Sequence, residues 1–142
     1  MKLTLLEKIA LGLSGLTALT IGASILFAPN AFYASYGITL GDDANLLSEL
    51  RAPGAGLAAS GGLILLGIRR RALLSVSVAM SLTVFVSFPT GRLIGLALDG
   101  LPSGSVIAAL AVELAIAALL IAAFRHRLWQ PASPVPAAHP AR

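Results

Sequence analysis

Residues 103–124 read SGSVIAALAVELAIAALLIAAF, an apolar run whose one charge is Glu113, and Arg125-His126-Arg127 follow at once. At 1.5 Å per residue, a helix of this length covers a hydrocarbon core of about 30 Å. A helix that is apolar on every face must be buried on every face or stand in lipid. A chain of 142 residues, 57% hydrophobic and 11% charged, with a mean hydropathy of +0.90, has too little polar material to bury such a helix in a water-soluble domain. The run therefore identifies the solvent as a bilayer.

Working back towards the N-terminus, Asp99-Gly100-Leu101-Pro102 reads as a turn. Before it lies another apolar stretch, Ala72 to about Leu98, interrupted by Pro89 and carrying Arg92 and the small pair Gly91 and Gly95. Arg69-Arg70-Arg71 forms a short basic turn. The preceding stretch, to about Ile68, starts behind Asn45 as a plausible N-cap and holds Glu49, Arg51 and Pro53 in its first turns. Starting that helix at Pro53 instead would leave only roughly 24 Å, too short to span. The first uncharged run, Ile9 to Ala28, follows Glu7 and Lys8 and closes at Pro29-Asn30. It is longer than the about 7–15 residues of a signal-peptide core and reads as a retained span.

The expected fold is all-α, a four-transmembrane-helix bundle over 1–130 with spans of about 8–28, 46–68, 72–98 and 103–124. Residues 131–142 form a Pro-rich tail expected to be disordered. Small residues four apart (Ala10, Ser14, Ala18, Gly22; then Gly54, Ala58, Gly62) mark faces where backbones could approach closely.

Eight of the ten basic residues (Lys2, Lys8, Arg69, Arg70, Arg71, Arg125, Arg127 and Arg142) fall at one end of this arrangement, and the opposite loops carry only acidic charge. The positive-inside rule then puts the N-terminus and C-terminus in the cytoplasm. Basic residues at span ends form no stripe, so nucleic acid is not an expected partner. The absence of cysteine excludes thiolate metal sites and cysteine nucleophiles. Ser75, Ser77, Ser81 and Ser87 have no neighbouring histidine base. No catalytic residue, metal site or cofactor is expected.

What remains is a set of charges inside the spans: Glu49, Arg51, Arg92 and Glu113, with Asp99 near the surface. Such groups cost about 2.5–3.5 kcal/mol each on insertion scales and normally face a partner or a watery cavity. Helical rise puts Arg51 and Arg92 roughly 9–10 Å from the acidic end and Glu113 roughly 15 Å deep. One reading is a polar pocket in the outer half, walled by Arg51 and Arg92 with Glu113 at its floor, suited to a small anionic or lipid-like ligand. The other is that the arginines neutralise Glu113 and Glu49 and set helix register. A proton or ion path is a third.

ELRAPGAG at 49–56, Gly91-Arg92, LALDGLPS at 96–103 and the midspan Glu113 together resemble an uncharacterised family of small bacterial four-helix integral membrane proteins, the DoxX-like group. The resemblance implies that Glu49, Arg51, Arg92, Asp99 and Glu113 form a polar signature, and that the bundle lies in the inner membrane of a bacterium. It also implies a possible partnership with a larger membrane complex, since some relatives look like subunits of quinone-linked oxidoreductases. Expected partners are membrane lipids, a small anionic or lipid-like ligand, and a membrane-protein partner or a second copy of the chain.

Overall fold

A computed structural model describes residues 3–128; the tail from 131, Lys2, Trp129 and Arg142 lie outside them. The described chain is all-helical: α1 (Leu5–Phe27), α2 (Pro29–Ala34), α3 (Ala44–Arg69), a 3-10 turn (Arg71–Leu73), α4 (Leu74–Leu98) and α5 (Gly104–Leu128). Four of these helices are long and apolar enough to cross a membrane. Large apolar side chains such as Leu16, Phe27, Ile94, Val112 and Ile121 are exposed on the bundle's outside, the arrangement expected where the surroundings are lipid.

Local chemistry sets the helix ends. Thr4 caps α1 in a reciprocal box, its Oγ1 accepting from the Glu7 N–H at 3.2 Å while Glu7 Oε2 accepts from the Thr4 N–H at 2.7 Å. Pro29 ends α1 and opens α2 as its first residue, because proline lacks the N–H to continue one helix and is pre-set to start another. The six residues of α2 lie between the first two expected spans, 8–28 and 46–68, where the sequence predicts no helix. At α3 the cap is Asp43 rather than Asn45: Asp43 Oδ1 accepts from the N–H groups of Asn45 at 2.8 Å and Leu46 at 3.0 Å. A carboxylate at the positive end of the helix is the stronger acceptor, which lengthens α3 by a turn fragment.

Around the bundle the order is α1, α3, α4, α5; α1 touches α4 across the diagonal, while α3 and α5 do not meet among the described residues. The closest approach is between α1 and α3. A methyl group at Gly22 would stand 2.7 Å from the Gly54 carbonyl oxygen and 2.8 Å from Ala58 Cα; one at Gly61 would stand 2.7 Å from the Gly15 oxygen and from Leu19 Cα. Small residues there let backbone meet backbone, which is how helices gain packing energy when lipid supplies no hydrophobic drive.

The contact line on α3 runs through Gly54, Leu57, Gly61, Ile64 and Gly67, whereas Gly62 faces open space. The spacing Gly54, Ala58, Gly62 expected from sequence therefore fails at its last member. Four residues advance the helix by 400°, so a strict four-residue repeat drifts by about 40° at each step and must be corrected by a step of three.

Buried hydroxyls cross the remaining seams. Ser14 Oγ lies 3.1 Å from Ser81 Oγ between α1 and α4, and Ser77 donates to the Leu63 carbonyl at 2.9 Å between α4 and α3. Leu11, Ile64, Leu120 and Phe124 fill the half of the bundle nearer the basic end and are inaccessible to solvent. The other half holds the polar centre.

Candidate functional site

Arg92 on α4 and Glu113 on α5 face each other across that half. Helical rise places Arg92 roughly 9 Å from the end of α4 and Glu113 roughly 14 Å from the start of α5. Arg92 Nε donates to both carboxylate oxygens of Glu113 at 3.0 Å, and the two side chains are 27% and 7% exposed. Only the Nε edge of the guanidinium is used in this way. Both terminal nitrogens of Arg92 lack a hydrogen-bond partner among the described residues, and Arg92 is the more exposed member of the pair.

Beside the pair lies a cavity of ≈ 30 Å³, to which every long helix contributes: Thr17 and Ile21 from α1, Leu57 from α3, Phe85 and Phe88 from α4, and Glu113 from α5. That is room for a water molecule and too little for a lipid head. Phe85, which lines the cavity, lies four residues before the buried Pro89, and a proline has no N–H to donate to the Phe85 carbonyl.

Arg51 does not belong to this centre. Its Nη1 donates to the carbonyl of Leu26, one of the last carbonyls of α1 that have no partner within their own helix. There it places a cation at the negative end of α1. It lines a separate, open groove with Leu26, Leu47, Ser48 and Ala55, and no carboxylate among the described residues pairs with it. Glu49 is exposed on another face of α3. Asp99, also exposed, ends α4, its N–H donating to the Gly95 carbonyl at 2.7 Å. Of the five charges singled out in the sequence, the fold brings Arg92 and Glu113 together and leaves Glu49, Arg51 and Asp99 apart.

A second pair escaped the sequence reading. Arg127 Nε donates to Glu7 Oε1 at 2.6 Å and ties the last turn of α5 to the first turn of α1. Glu7 is 5% exposed, so it is a buried acid rather than a flanking surface charge. Two signals pointed to it. Thr4 and Glu7 have the spacing of a capping box, and Arg127 continues the buried line of α5 through Glu113, Leu120 and Phe124.

Of the serines, Ser77 and Ser81 are buried seam contacts, while Ser87 bonds the Thr83 carbonyl of its own helix at 2.7 Å. Among the described residues, no three His, Asp or Glu side chains gather as metal ligands would.

A family model described as a domain of unknown function, DUF4345, matches residues 6–124. The chain belongs to the DUF4345 family. No curated protein and no solved structure matches it. The DUF4345 match reaches all four long helices and includes Glu7 and both members of the Arg92–Glu113 pair, but ends within α5, short of Arg127.

Proposed function

We propose that this DUF4345 protein is a membrane-embedded binding protein that holds the oxygen-rich head of an amphiphile, a carboxylate or a phosphate, on the free edge of Arg92. The carrying observation is the half-used guanidinium: Nε is committed to Glu113 and the terminal nitrogens have no partner among the described residues. A guanidinium is a rigid planar fork that can engage one oxyanion on each edge. Glu113 orients it, and the parallel terminal N–H groups are presented to a second oxyanion. With only ≈ 30 Å³ beside the pair, the head docks at the exposed side of Arg92 while the cavity keeps a water. Arg51, Glu49 and Asp99 take no direct part in this version of the pocket.

The test is Arg92→Lys, which keeps the charge facing Glu113 but has no second edge. Native mass spectrometry of protein released from its own membrane is expected to show an amphiphile on the wild type and at least a tenfold loss of it from the variant, the equivalent of about 1.4 kcal/mol. Equal retention by both proteins, or none by the wild type, would refute the reading.

The proposed membrane is the bacterial inner membrane, in line with the DoxX-like resemblance, with both ends in the cytoplasm. Lys8, Arg69, Arg70, Arg71, Arg125 and Arg127 cluster at one end of the helices, while the loops at the other end carry Asp42, Asp43 and Asp99 and no Lys or Arg. A green fluorescent protein fused after Arg142 is expected to fluoresce and an alkaline phosphatase fused there to stay inactive. The reverse pattern would invert the bundle.

A second reading, as an accessory subunit of a larger complex or a homo-oligomer, draws on α3. Gly56 and Gly62 have open space where a side chain would stand, on faces of α3 about 120° apart, so another helix could come close at either one. The same spectra distinguish it, since a partner adds the mass of a protein rather than that of a lipid.

A further inference from the structure

At the opposite end from Arg92, the start of α4 and the end of α5 enclose a trough of ≈ 560 Å³. Arg71 and Arg127 stand at its mouth, and Leu74, Val78, Ala79 and Leu82 continue it along α4 into the apolar zone. Its volume falls within the about 300–1,000 Å³ of small-molecule sites. Its polarity runs in one direction, with cations at the surface, the Ser75 hydroxyl just inside, then hydrocarbon.

The charge at the mouth is not balanced. Arg127 is paired with Glu7 through Nε and Nη2, but no carboxylate among the described residues lies within ion-pairing distance of Arg71. Arg69 and Arg70 add to the positive potential beside it. The sequence after Leu128 contains no Asp or Glu that could supply a side-chain anion.

We infer that this trough is a binding site for one anionic phospholipid, its phosphate between Arg71 and the free nitrogen of Arg127 and one acyl chain laid along Leu74, Val78 and Leu82. A soluble phosphate would use the mouth and leave the apolar trough empty. A zwitterionic lipid would fill the trough and leave the unbalanced arginine without a net anion. Only a lipid with an acidic head satisfies both, and basic clefts between membrane helices take such heads. This site is independent of Arg92: it stands at the other end of the helices and shares no lining residue with the cavity there.

The experiment uses the full chain reconstituted in nanodiscs of equal parts phosphatidylglycerol and phosphatidylcholine and then ejected into a native mass spectrometer. The wild type is expected to carry one phosphatidylglycerol in preference to phosphatidylcholine. Arg71→Gln is expected to reduce that preference about fivefold, the usual effect of one basic residue near the surface. Ala79→Trp blocks the trough from an exposed position and leaves every charge in place, and it is expected to lose the bound lipid altogether. Each variant decides the matter separately if the other fails to fold. Wild-type retention of phosphatidylglycerol by either folded variant, displacement by soluble glycerol phosphate, or equal retention of the two lipids by the wild type would overturn the assignment.

Discussion

Glu113→Leu with Arg92 left in place is expected to lower stability by about 3 kcal/mol, the lower end of the range for breaking a buried pair. The lower end applies because Arg92 is 27% exposed and its long stem can carry the orphaned guanidinium towards the headgroups. Arg92→Met combined with Glu113→Leu should recover most of that loss. Two charges taken out of water attract each other strongly but have both been desolvated, and apolar residues of similar size are often as stable or more so. Unfolding in mixed micelles, followed by far-UV circular dichroism, measures both variants against the wild type. If the double variant is as unstable as the single one, the pair is needed to hold α4 on α5, and the binding role proposed for Arg92 loses its main support. If the double variant folds and no longer carries the amphiphile, the charges are maintained for something other than stability.

How the charges meet depends on information that a single sequence carries unevenly. Long uncharged runs such as 9–28 and 103–124 announce themselves, because a bilayer tolerates few ionisable groups and demands internally bonded backbone. Helical phase also tells which face of its own helix a residue occupies. It does not tell which helix that face meets. Arg51 and Arg92 sit at similar depth and looked equivalent; the order α1, α3, α4, α5 around the bundle separates them, sending Arg92 to Glu113 and Arg51 to the Leu26 carbonyl. An unsatisfied carbonyl at the end of α1 leaves no mark in the residue types, so a cation that caps it reads as a cation in search of an acid. Glu7 shows the opposite error. Its place beside Lys8, just before the first uncharged run, does not mark it as buried, yet Arg127 lies 120 positions away in the chain and meets it in the fold.

Gly61→Ala and Gly62→Ala, neighbours in sequence, are expected to change stability in opposite directions. The methyl group at position 61 would meet the Gly15 oxygen and Leu19 Cα at 2.7 Å, and both are backbone atoms that no rotamer change can move. Helices α1 and α3 would have to separate, at about 1–3 kcal/mol. At position 62 nothing lies within 4 Å of the added carbon, and the gain is the intrinsic helix preference of alanine over glycine, about 0.5–1 kcal/mol. Thermal unfolding of the two variants in the same detergent checks this, and a loss at 62 as large as that at 61 would mean that the α1–α3 seam follows the four-residue repeat after all. The comparison reaches beyond packing. Thr17 and Ile21 on α1 and Leu57 on α3 wall the cavity beside Arg92 and Glu113, so the distance between these two helices also sets the width of the polar centre. A methyl group at Gly61 that forces them apart should therefore admit water to Glu113, and the Arg92 variants would then be measured against a loosened site. Gly62→Ala leaves that spacing alone, which makes it the appropriate stabilised background for the binding experiments.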